Sequence, residues 1–162
     1  MREILARLFP RAIDNEFPGV KLALWVFYPF VALTLWRSQH HIFSTDGGAQ
    51  SIATIPLDTY PSVAANTIIG IFALWGLSQL VIGLMYLIAA MRYRALIPLL
   101  YLFAALEYAV RAFYISTFKT IETAGTAPGA AANLPLPGFA FVMLVLTLWP
   151  TKRTAQKRMP TA

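Results

Sequence analysis

Two apolar runs, Ala64–Ala90 and Ala95–Phe118, follow one another with only Met91–Arg94 between them. Each is long enough to cross the hydrocarbon core of a bilayer, which takes about 20 residues of helix. The connection is too short for anything but an antiparallel hairpin. Two further runs, Val20–Trp36 and Leu134–Trp149, are short for spans. Their ends are extended by Lys21, Arg37, Lys152 and Arg153 reaching toward headgroups, or by thinning of the bilayer. Pro29 sits inside the first run and predicts a kink. Asn133 is placed to cap the last helix, with Pro135 and Pro137 tolerated in its opening turn. Apolar residues make up 58% of the 162 and charged residues 12%, more apolar matter than a soluble domain of this length needs. The expected fold is all-α: one transmembrane domain, an integral membrane four-helix bundle with spans 20–36, 64–90, 95–118 and 134–149. Segment 1–19 precedes the spans and a basic tail, 150–162, follows them.

Orientation follows from where Lys and Arg lie. Arg2, Arg7, Arg11 and Lys21 precede or open the first span, Arg92 and Arg94 fill the short turn, and Lys152, Arg153, Lys157 and Arg158 sit in the tail. The connections after spans one and three hold only Arg37 and Lys119. The positive-inside rule therefore predicts cytoplasmic termini and a cytoplasmic turn, with the loops 37–62 and 119–133 outside. Trp36, Tyr60 and Tyr114 then fall near the outer boundary, and Tyr93 and Trp149 near the inner one, as an aromatic belt requires. Ile4, Leu5, Leu8, Phe9 and Ile13 recur at helical spacing among Arg2, Arg7 and Arg11, which predicts an amphipathic helix in the headgroup plane; Pro10 argues for a frayed tail instead. The net charge of +6 lies mostly at the chain ends beside apolar spans. It reads as a set of anchors to anionic lipid on the cytoplasmic face (Arg2, Arg7, Arg11, Arg92, Arg94, Lys152, Arg153), not as a nucleic-acid surface.

The third run carries Glu107 and Arg111 on one helical face, the acid toward the N-terminus, which is the favourable order. Ionisable groups are costly in lipid, so such a pair is a functional-site candidate. Counted away from Arg92 and Arg94, Gln79 and Glu107 share one depth, about 20 Å above the turn, and Trp75 and Arg111 share another. Two cross-helix pairs are therefore predicted. Gly76 and Gly83 flank Gln79 on one stripe of the second span, and Ala105, Ala109 and Ala112 make a small-residue stripe on the third. The two stripes are expected to face each other. Two readings remain open. In one, Glu107 and Arg111 neutralise each other, Gln79 donates to Glu107 and Trp75 stacks on Arg111, all as structural glue. In the other, they line a polar pocket reached from the outward face.

The chain has no cysteine, which removes disulfides, thiolate metal sites and cysteine nucleophiles. His40 and His41 point different ways, and no third nitrogen or thiolate ligand exists for zinc, so no metal site is expected. Both histidines lie at one helix end, which disfavours haem. Asp46-Gly47-Gly48 and Pro128-Gly129 read as turns. No phosphate-cradling loop, nucleophile elbow or catalytic acid pair is found. No cofactor is predicted, although a quinone or a bound lipid fits a protein of this type.

Two stretches, WGLSQLVIGLMYLIAAMRYRALIPLLYLFAALEYAVR (Trp75–Arg111) and KTIETAGTAPG (Lys119–Gly129), resemble small bacterial membrane proteins with a DoxX-like four-helix layout. That resemblance implies the bacterial inner membrane and, through the association of DoxX with a quinol oxidase complex, a partner role. Three functions remain as alternatives: a non-enzymatic accessory subunit or lipid-associated module in a larger membrane complex or homo-oligomer; a small oligomeric transporter or proton-linked carrier using the Glu107/Arg111 pair, with Glu107 as the titrating group; and a membrane enzyme acting on lipid or quinone through the outward histidines. The topology itself is testable. A cysteine introduced near Asp46 or Gly125 should react with an impermeant thiol reagent on intact cells, and one at Thr154 should not; the reverse pattern would invert the orientation.

Overall fold

The computed structural model describes residues 2–128, 131 and 135–150. The described residues contain helices and turns and no strand. A short helix α1 (Arg2–Leu8) precedes α2 (Lys21–Phe43), α3 (Ser62–Arg92), α4 (Arg94–Phe118) and α5 (Pro135–Leu148). Two of these, α3 and α4, are long and apolar enough to cross a membrane, with mean hydropathies of 2.1 and 1.6; α5 is apolar but shorter. Asn133, Leu134, Lys152 and Arg153, on which a cap, a span boundary and two anchors were expected, lie outside the described residues.

The helix ends agree closely with the apolar runs for α3 and α4, α5 ends at Leu148 beside the expected Trp149, and α2 differs. Its helix continues past Trp36 through Arg37, Ser38, His40 and His41 to Phe43. Polar residues end the apolar run there, but they do not end the helix, because they find partners inside it. Thr34 donates to the Phe30 carbonyl, Ser38 donates to the Leu35 carbonyl, and His41 is buried. Pro29 lies within α2 and does not terminate it.

Packing also corrects the expected hairpin interface. The glycine stripe of α3 faces α2, not α4: a Cβ at Gly76 would come within 2.7 Å of His41 Cβ, and one at Gly83 within 2.8 Å of Leu35. The alanine side of α4 faces α5, where Ala104, Ala105 and Tyr108 meet Ala140. Helices α3 and α4 leave their turn splayed, and large rings fill the space between them. Phe27 of α2 packs on Tyr86 and Tyr101 at 5.6 and 5.3 Å between ring centroids, and Phe30 on Tyr86 and Tyr108 at 5.6 and 6.4 Å. Tyr101, almost fully buried, also donates its hydroxyl to the Ala23 carbonyl at 2.8 Å. Small residues make the close contacts here as expected, but each stripe has a different partner.

At the end of the molecule that carries the Arg92–Arg94 turn, the N-terminal segment closes over the helix ends. Arg7 is buried and donates to the Leu148 carbonyl at 3.1 Å, and the Val20 N–H donates to Leu146 O at 3.0 Å. These satisfy two of the last carbonyls of α5, which have no partner within the helix. Gly19 lies so near the Thr147 backbone that any Cβ would collide with it. Arg94 donates to Ala90 O and to the Tyr28 hydroxyl. Arg7 and Arg94 therefore hold protein groups where headgroup contacts were expected, while Arg2, Arg11 and Arg92 stay exposed. The helical spacing that predicted a longer N-terminal helix supports only Arg2–Leu8, and the chain is irregular from Pro10 onward. Pro10 has no N–H to continue the ladder.

At the opposite end, Asp46-Gly47-Gly48 forms the expected turn, with both glycines at positive φ (60° and 73°). The Asp46 carboxylate accepts the backbone N–H groups of Gly48, Gln50 and Ser51 at 2.9, 3.1 and 2.6 Å. Partial burial works to raise its pKa, but these hydrogen bonds outweigh it and hold the group at about 2. Thr54 ties this loop to the second one, donating to Gly125 O and accepting from Ala124 N–H.

The glycines of α3 give a sharp comparison. A Cβ at Gly70 would meet nothing within 4 Å, so Gly70→Ala should gain helix propensity, up to about 1 kcal/mol. Gly76→Ala pushes against His41 Cβ and the Ser38 carbonyl and should lower stability by about 1 to 3 kcal/mol. Thermal melts in one detergent compare the two; equal effects would refute the α2–α3 approach described here.

Candidate functional site

The polar groups of α2, α3 and α4 meet near the loop end. The expected pair is present: Arg111 Nη2 lies 2.8 Å from Glu107 Oε1, with side-chain exposures of 22% and 38%. One of the two cross-helix pairs is present as well. The Arg111 guanidinium carbon lies 5.5 Å from the centre of the Trp75 ring, and Tyr108 offers a second ring at 5.7 Å. The other pair is replaced. Gln79 is buried, but its Oε1 accepts from Arg37 Nη2 at 2.9 Å, where a bond to Glu107 had been expected.

Arg37 is the residue that sequence reasoning misplaced. Read as the end of the first span, it lies instead a turn and a half inside α2. Its guanidinium carbon is 5.5 Å from the centre of the same Trp75 ring, so this indole serves two cations. Arg37 Nε is buried with no hydrogen-bond partner among the described residues. Arg111 and Glu107 both lie within electrostatic range of it. The charge count of the centre is therefore two guanidiniums to one carboxylate.

His41 completes the wall on α2. Its ring packs on Trp75 at 4.7 Å and on Phe72 at 5.7 Å, and Nδ1 is 2.7 Å from the Gly47 carbonyl. A carbonyl only accepts, so Nδ1 carries the proton in that bond. His40 diverges from it: its Nε2 meets Ser44 Oγ at 3.1 Å and its ring lies 6.0 Å from Trp36. A signal for this wall existed in the sequence, because Thr34, Ser38 and His41 recur at helical spacing beyond the point where hydropathy falls.

The backbone changes at this level too. Val110–Ile115, which contains Arg111, is a π-helical turn within α4. Such turns recur at functional sites and re-aim the side chains that they carry. Gly76 and Gly83 bring Trp75 and Gln79 onto α2, whereas Ala105 packs on the α5 side of α4.

Comparison with family models, with curated proteins and with solved structures finds no match for this chain.

Arg37 changes what the pair should do on mutation. Glu107→Gln leaves two cations and no acid, while Arg111→Met leaves Glu107 with Arg37 in range. The acid substitution should therefore cost more than the arginine one, each below the roughly 3 to 5 kcal/mol of a fully buried broken pair because both side chains are partly open. The double variant should be milder than Glu107→Gln alone. Melting temperatures of the three proteins decide this, and a larger loss from Arg111→Met would show that Arg37 does not share the acid.

Proposed function

We propose that the protein is a non-enzymatic, lipid-embedded helical module that acts as an accessory subunit in a larger membrane assembly. The observation that carries this reading is the distribution of exposure on α3. Leu74, Leu77, Val81, Leu84, Ile88 and Met91 are each at least 46% exposed and form one continuous face, while the polar Gln79 is turned inward. Only 17% of the apolar stretch of α3 is buried, and 39% of that of α4. A core helix of a soluble protein hides such a stretch; lipid solvates it without penalty. In this reading α2 and α5 also cross the bilayer and complete a four-span bundle with both termini in the cytoplasm.

Lipid association has its own support at the turn end. A groove of about 870 Å³ lies there, bordered by Lys21, Trp25, Tyr28 and Arg94. Interfacial aromatics beside basic side chains suit a headgroup layer. The DoxX-like layout and its bacterial inner-membrane setting belong to the same proposal. The partner role rests on the polar centre, whose groups engage one another and form no nucleophile–base pair. The carrier alternative needs Glu107 to be free for a substrate or proton, whereas its carboxylate is engaged by Arg111 at 2.8 Å.

The test is biochemical. Expressed in a bacterial host, the protein should stay in the membrane pellet through an alkaline carbonate wash, and gentle solubilisation should recover it in a particle larger than one chain with its detergent. Release by carbonate would overturn the embedding. A partnerless, monodisperse monomer indifferent to added lipid would overturn the accessory role.

A further inference from the structure

The polar centre is not electrically complete. Arg37 and Arg111 bring two positive charges, Glu107 brings one negative charge, and Gln79 contributes only a carbonyl dipole. The Arg37 Nε–H is buried and finds no acceptor among the described residues, although a guanidinium presents five donors and leaving one unused in a water-poor setting is costly. The strain is not relieved by another acid, since Arg37 is held by Gln79 and by the Trp75 ring. A group that supplied one negative charge and acceptor oxygens would correct both deficits together.

The surroundings say from which side such a group arrives. From above, the loop that contains Gly47 and Gly48 sits on His41 and Phe72, and Thr54 clips it to the second loop. On the α2 side Gly76 leaves no room between the backbones. What stays open is the outer surface of the Arg111–Glu107 pair on α4, whose side chains keep 22% and 38% of their surface beside Trp75 of α3. In the lipid-embedded reading on which this inference rests, that face looks into the membrane.

We infer that the Arg37–Trp75–Arg111 centre binds a singly charged oxyanion head, a phosphodiester or carboxylate, entering laterally between α3 and α4. Arginine suits that task because its planar fork matches paired oxygens. Glu107 then acts as a counter-charge that limits the site to one negative charge, and the π-helical turn sets the angle at which Arg111 meets the head. The head belongs either to an amphiphile in the bilayer or to a small soluble anion.

The experiment uses the full chain in a neutral detergent and reads the melting temperature. Phosphatidylglycerol is the amphiphilic probe, dimethyl phosphate (a phosphodiester with one negative charge) the soluble one, and phosphatidylcholine the control. A rise with phosphatidylglycerol alone assigns the head to a lipid; a rise with both assigns it to the anion itself. Arg37→Gln should abolish the rise, corresponding to a loss in affinity of about tenfold or more. Glu107→Gln, by removing the competing negative charge, should enlarge it. A purely structural role for the two residues would reduce the response in both variants. If Arg37→Gln does not fold, Glu107→Gln decides alone. No rise with either probe, or a rise unchanged in the variants, overturns the inference, and it does so without touching the membrane reading, which the carbonate wash tests separately.

Discussion

Gly76 and Gly83 let α3 lie against α2 with little more than backbone between them, and the arrangement of the loop end depends on that approach. It brings Trp75 beside His41 and Gln79 within hydrogen-bonding reach of Arg37. Because α3 is committed to α2, it cannot also lie flat on α4. The opening between α3 and α4 is taken by tyrosines lower down and by Trp75 and Arg111 higher up. The aromatic core and the polar centre are thus two fillings of one gap. Bulky rings occupy it where no charge is present, and a cation on a ring occupies it where charge is present.

Helix positions were legible because hydropathy reports them directly. The ends of α3 and α4 agree with the apolar runs to within two residues, and the Glu107–Arg111 pair was fixed by helical spacing alone. Matching depths across a short turn also found Trp75 with Arg111, since antiparallel helices of equal rise leave little freedom along their axes. What spacing could not supply was rotation about those axes. Gly76, Gln79 and Gly83 were correctly placed on one stripe, yet the stripe could face either neighbour. Only three-dimensional packing selected α2. Arg37 was misread for a related reason: hydropathy marks the end of an apolar run, whereas the helix continues wherever polar residues find internal partners. Arg7 and Arg94 illustrate the same limit at the other end, where charge near a boundary proved to serve helix-end carbonyls and a tyrosine.

The two ends of the molecule handle charge differently. At the turn end, positive groups are spread over exposed Arg2, Arg11 and Arg92 and over Arg7 and Arg94, which are bonded to protein. Each meets solvent or a carbonyl, so none needs a counter-ion inside the fold. At the loop end, Arg37 and Arg111 are concentrated on one indole with a single carboxylate. Concentrated charge is harder to solvate than dispersed charge, so it is at the loop end that the fold must supply compensating groups.

The contact of Gly19, Val20 and Arg7 with the final turn of α5 has a consequence for biosynthesis. A ribosome delivers this chain from the amino end, yet the segment before α2 finds its partners in residues 146–148, among the last that the structure describes. Until those residues emerge, the leading segment lacks its hydrogen bonds to α5 and keeps the earlier one, from the Ala95 N–H to the Asp14 carbonyl at 3.3 Å. Closure over α5 is therefore a late event, and it separates a chain that has made α5 from one that has not. A chain stalled before α5 would display Arg7 and Val20 without their carbonyl partners, a loose segment of the kind at which proteolysis concentrates.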